Sequence, residues 1–83
     1  MSWNYRIVVE NKGKEEEFWS IREVYYNKQG LIYAMTEESM EPTGETEEGL
    51  AEDFLHMQHA FYKDVIVLDN FKFASMDDGE GKE

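Results

Sequence analysis

The sequence contains no cysteine, which excludes disulfides and thiolate metal sites. It has one proline, Pro42, which cannot donate to a ladder and pushes its predecessor out of the α region. No apolar run approaches the ~20 residues a membrane-spanning helix needs. The opening MSWNYR has neither the basic segment nor the apolar segment of a secretory signal. There is no Gly-rich phosphate loop and no nucleophile motif. Bases are scarce: 8 Lys and Arg stand against 19 Asp and Glu, a net charge of −11. That field disfavours direct contact with nucleic-acid phosphates and with an acidic membrane surface. The expectation is a cytoplasmic protein, not an enzyme, with no cofactor and no bound metal.

What is present points to a folded chain. Eighty-three residues make one domain, which at this size buries roughly 60–65% of its unfolded surface. Phe, Tyr and Trp are 14% of the chain, whereas disordered chains are poor in them.

The only helix is expected over Gly44 to Tyr62. Leu50, Phe54, Met57 and Phe61 fall at i, i+4, i+7 and i+11, one stripe of a helical period. Ala51 and Leu55 widen the stripe, and Glu48, Glu52, His56, His59 and Lys63 fall opposite. Thr46 is the N-cap candidate. Glu45, Glu47 and Glu48 place negative charge at the positive end of the helix dipole. A capping box is absent, because Gly49 holds the position from which Glu or Gln would reach back.

Three strands are expected before the helix. In Trp3 to Glu10, Trp3, Tyr5, Ile7 and Val9 alternate with polar residues, and Val8 breaks the polar face. Asn11 to Lys14 is a turn. Glu15 to Asn27 is a strand of mixed parity: Trp19, Ile21 and Tyr25 share one face, Phe18, Val24 and Tyr26 the other. Either a β-bulge near Arg22–Val24 swaps the faces, or both faces are covered, one by the helix and one by a partner. Asn27 to Gly30 turns into Leu31–Thr36, the third strand. Val65 to Leu68 is the fourth, returning along the sheet, and 70–73 continues as an extended segment.

The order β-β-β-α-β, with Gly44, Glu45, Thr46, Glu47 and Glu48 opening the helix, is similar to the HicB-like antitoxin domain. WNYR, REVYY, MTEE and VIVLDNF also resemble a group of small uncharacterised bacterial proteins. The HicB resemblance implies a partial ribonuclease-H-like sheet without nuclease activity, and a small basic toxin as partner. This chain has no segment after the last strand that matches the family's DNA-binding part, so direct DNA binding is not carried over.

Three constellations invite a functional reading. Residues 1–28 hold five acids and five bases, residues 29–62 eight acids and no base, and residues 63–83 six acids and three bases. The eight are Glu37, Glu38, Glu41, Glu45, Glu47, Glu48, Glu52 and Asp53. They form either a solvated face or a docking surface for a basic, nucleic-acid-handling protein. Glu52, His56 and His59 share a helix face, as an exposed polar surface or as ligands of a divalent ion or an acid–base centre. The aromatic surplus exceeds what one helix can cover, so some rings lie on the uncovered face or at an interface, a homodimer included.

The sequence thus predicts an α+β domain over residues 1–74, an antiparallel sheet of three to four strands with one helix packed on one face, and a flexible acidic tail over 75–83. The expected core is Tyr5, Ile7, Val9, Ile21, Val24, Ile32, Leu50, Phe54, Met57, Phe61, Val65 and Val67. The leading functional expectation is an acidic protein-binding module, antitoxin-like or nucleic-acid-mimicking, with a structural homodimer and a metal-dependent or acid–base enzyme as alternatives.

Overall fold

The computed structural model describes residues 2–76; the expected acidic tail lies outside them from residue 77 on. Strand β1 (Ser2–Glu10) pairs antiparallel with β2 (Phe18–Tyr26), and β2 with β3 (Ile32–Met35). Helix α1 (Glu47–Gln58) follows and tightens into a 3-10 turn over His59–Tyr62. Strand β4 (Ile66–Val67) then pairs parallel with β1. The sheet order β3-β2-β1-β4 puts the first strand in the interior and the last at the far edge. The α+β class, the strand number and the single helix are as expected; the sheet is mixed because the helix carries the chain across it before β4 forms. No helix among the described residues is long and apolar enough to cross a membrane.

The turns follow from residues that tolerate or organise tight backbone. Asn11 and Gly13 adopt φ of 55° and 80°, conformations that Asn and Gly reach most cheaply. The Asp69 carboxylate accepts from the Asn11 and Lys12 amides at 2.7 and 2.8 Å, tying the first hairpin to the far end of the chain. In the second hairpin, buried Asn27 accepts from the amides of Gln29 and Leu31 through Oδ1 and donates through Nδ2 to the Ser75 carbonyl. A short polar side chain is suited to substituting for backbone partners in this way.

Both faces of the sheet are covered. Tyr5 and Ile7 pack with Met57 and Ala60 beneath the helix, with Ile21 and Met40 at the margin. On the other parity, Val8 and Val24 pack with Ile66, and Tyr26, Ile32, Met35, Leu68 and Phe71 close over them. Val8 is therefore fully buried, along with Val9 and Val24, each burial stabilising by roughly 1.5–3 kcal/mol. The expected second cover, a partner, is supplied by the chain's own segment after β4. The pairing of β1 with β2 is unbroken, and the one register shift lies between β2 and β3 at Tyr25/Tyr26, later than the Arg22–Val24 position expected for a bulge.

Several expected core residues are exposed instead: Leu50, Phe54, Phe61, Val65 and Val67. At about 100° per residue, the buried seam of Met57 and Ala60 is rotated by roughly 60° or more from the stripe through Leu50, Phe54 and Phe61. The 3-10 turn inserts Ala60, the small residue that allows close approach to β1. Val67 falls on the outward parity of an edge strand whose Ile66 points inward.

Candidate functional site

Helix α1 begins where the sequence places its cap. Thr46 is extended, and its hydroxyl accepts from the Gly49 amide at 3.0 Å, so an otherwise free first-turn donor is satisfied. Gly44 lies so close to this first turn that a Cβ there would stand 2.4 Å from the Leu50 nitrogen. The loop between β3 and α1 is pinned at three points. Thr36 N–H donates to the Glu23 carbonyl, Met40 N–H to the Ile21 carbonyl, and Thr43 N–H to the Asp53 carboxylate at 2.9 Å.

This pinning opens a groove between loop and helix. Ile21, Met40 and Pro42 form one side, and Phe54, Met57 and Phe61 the other, around a volume of about 260 Å³. Phe54 is 51% and Phe61 68% exposed, a large apolar surface to leave in water. The groove was not legible in the sequence, although the apolar pair Met40 and Pro42 inside an otherwise acidic loop was the available signal.

The eight acids occupy the loop and the first two turns of the helix. Glu37, Glu38, Glu41, Glu45, Glu47, Glu48 and Glu52 are exposed, and Asp53 is half-buried where it holds the Thr43 amide. Glu41 sits between the groove residues Met40 and Pro42. Glu47 lies on the groove side of the first turn by helical angle, whereas Glu48 and Glu52 lie on the outer face. The acids thus border the groove unevenly.

Of the two histidines, His56 shares a depression with Glu52 and His59 does not. The His56 ring lies against Trp3 and Tyr5 at centroid distances of 5.6 and 5.1 Å, and His59 lies 6.1 Å from His56 and 6.4 Å from Tyr62. Trp3 and Tyr5 meet edge to face at 5.2 Å. This file of rings closes the end of the helix–sheet seam, a packing role for which aromatic edges and faces are suited. Glu52, Asp53 and His56 border a shallow polar depression with Thr43 and Gly49. No group of three or more His, Asp or Glu positioned to hold a metal ion occurs among the described residues.

Two phenols are perturbed nearby. Burial, then the charges of Asp53 and Glu23, pushes the Tyr5 hydroxyl above its ordinary value of 10.0. The hydrogen bond from the Tyr25 hydroxyl to the Glu23 carboxylate, with a smaller contribution from burial, does the same to Tyr25. Both remain neutral near pH 7, where a raised phenol supplies neither a base nor a nucleophile. What the arrangement offers chemically is an apolar slot with carboxylates alongside it.

No protein-family model, curated protein or solved structure matches this chain.

Proposed function

We propose that this chain is a cytoplasmic, non-enzymatic binding module whose groove takes an apolar edge of a basic protein segment. The observation that carries the reading is the exposure of Phe54 and Phe61 along a groove cut through a stretch of eight acids and no base. The rings provide burial at the centre, where interface energy concentrates. The carboxylates steer a cationic partner and reject an anionic one. Proteins that handle nucleic acids carry such cationic surfaces, so an antitoxin-like or nucleic-acid-mimicking inhibitor is the biological role this chemistry suits. A homodimer through the same groove would bring two base-free acidic stretches together, which like-charge repulsion opposes.

The test is fluorescence anisotropy with a short labelled Lys–Leu peptide of amphipathic helical pattern, compared with a scrambled peptide of the same composition. The patterned peptide is expected to bind more tightly and to weaken as salt rises. Phe61→Ser should reduce its affinity by about 30-fold, the scale of an interface anchor. Equal binding of both peptides, or binding indifferent to Phe61, would refute the groove. Light scattering on the free chain checks the dimer.

A further inference from the structure

The second face of the sheet holds a cavity that shares no residue with the helix groove. Its volume is about 430 Å³, within the range of small-molecule sites. Tyr26, Ile32 and Phe71 form its apolar interior, and Leu31 and Phe73 its exposed rim. Phe71 and Phe73 meet edge to face at 5.0 Å, which gives one wall a defined shape. The remaining side chains are unexpected for this protein. Arg6 and Lys72, two of its eight bases, line the cavity, and among the described residues no Asp or Glu does.

Arg6 is held without being neutralised. Its Nε and Nη2 donate to the Asp64 carbonyl at 3.2 and 2.7 Å, and its Nη1 donates to the Tyr26 hydroxyl at 2.9 Å. The Tyr26 hydroxyl donates in turn to Asn4 Oδ1 at 2.8 Å. All of these acceptors are uncharged. Neither Arg6 nor Lys72 makes an ion pair with a described residue. A guanidinium has five N–H groups, and these bonds leave two of Arg6's unused. The fork is thus fixed in direction, half-buried and still fully charged. Fixing it in advance removes side-chain entropy that a ligand would otherwise have to overcome. A planar carboxylate is the anion that such a fork fits best.

We propose that this cavity binds a small amphipathic carboxylate. The carboxylate lies on Arg6 with Lys72 as the second positive charge, and an aryl or alkyl body lies against Phe71, Phe73 and Leu31. The inference stands apart from the groove reading, because it uses the opposite face and the opposite charge.

The experiment titrates naphthalene-2-carboxylate into the full chain and follows backbone amides by proton–nitrogen NMR. The neutral isostere 2-naphthamide is the control. Shifts are expected at Gly30, Leu31, Phe73 and Ala74, with the carboxylate binding at least about tenfold more tightly than the amide, the scale of one charge-assisted pair. Arg6→Gln should remove most of that preference while leaving the amide's affinity unchanged. Arg6 also fastens the loop before β4, so Lys72→Glu, at an exposed position, serves as the second variant. It should weaken the carboxylate several-fold and spare the amide. Equal affinity for the two probes, or shifts confined to Met40, Phe54 and Phe61, would overturn the proposal.

Discussion

Two glycines five residues apart should respond to the same substitution with opposite signs. Gly44→Ala places a Cβ 2.4 Å from the Leu50 nitrogen, 2.7 Å from the Gly49 carbonyl carbon and 2.9 Å from the Leu50 Cα. All three atoms are backbone, so no rotamer change relieves the contact. The Leu50 nitrogen is also engaged, donating to the Thr46 carbonyl at 2.9 Å as the first bond of the helix. Ordinary carbon contacts lie near 3.5–4.0 Å, so loop and helix would have to part by about 1 Å. Overpacking of this kind costs about 1–3 kcal/mol. At Gly49, inside the helix, the nearest atom to an added Cβ is the Thr46 hydroxyl oxygen at 3.4 Å, an ordinary contact. There, replacing glycine by alanine restores helix propensity and should stabilise by about 0.5–1 kcal/mol. Both substitutions restrict the unfolded chain alike, so their difference isolates the folded state. With a urea slope of about 1 kcal/mol per molar for a chain this small, Gly44→Ala should lower the unfolding midpoint by about 1–3 M. Gly49→Ala should raise it by about 0.5–1 M. Midpoints that move in the same direction, or a Gly44→Ala midpoint that does not move, would refute the close approach of loop to helix.

Two further outcomes follow from the polar contacts. Glu10→Ala leaves buried Arg22 without its carboxylate; because Glu10 is partly exposed, the expected loss is about 1–3 kcal/mol rather than the 3–5 of a fully buried pair. Thermal unfolding would show this as a drop of several degrees, and a change below about 0.5 kcal/mol would contradict it. The Asp69 carboxyl is held below its ordinary value of 3.8, first by the Asn11 amide and then by the Lys12 amide. Its stabilising contribution is therefore present above about pH 3.8 and is lost as pH falls through the lowered folded value. A carboxyl carbon NMR titration should find its midpoint below that of an ordinary aspartate, and an ordinary midpoint would show that the amide contacts are not made in solution.

The parts of this fold that could be read from residue order are those whose causes are local. The alternation of Trp3, Tyr5, Ile7 and Val9, the Thr46 cap and the turn at Asn11–Lys14 each depend on neighbours a few positions away. The two-sided sheet was not local. Val8 looked like a flaw in a polar face because its cover, Leu68 and Phe71, comes from sixty residues further on. The buried side of α1 was misplaced for a related reason. Periodicity finds the apolar stripe, but Ala60 and the ring of His56 decided which part of it meets β1. Of the candidate site, the acids were legible as a run without bases. The groove beside them depended on the Met40 amide reaching the Ile21 carbonyl, a pairing that no residue pattern announces. The cationic cavity was equally hidden, since Arg6 and Lys72 are brought together only by the chain's return over the second face.

The central position of β1 has a consequence for how the molecule can be made. This strand is flanked on one side by residues 18–26 and on the other by residues 66–67, far along the chain. A hairpin can close early, but its second neighbour lies 58 residues on, from Val8 to Ile66, and such distant closures are slow. Until then, Val8 and the backbone edge beside it are open to any strand that comes near. A chain truncated before residue 66 should therefore be the aggregation-prone form, whereas one that carries Ile66 to Phe71 free of the ribosome covers Val8 and pairs that edge.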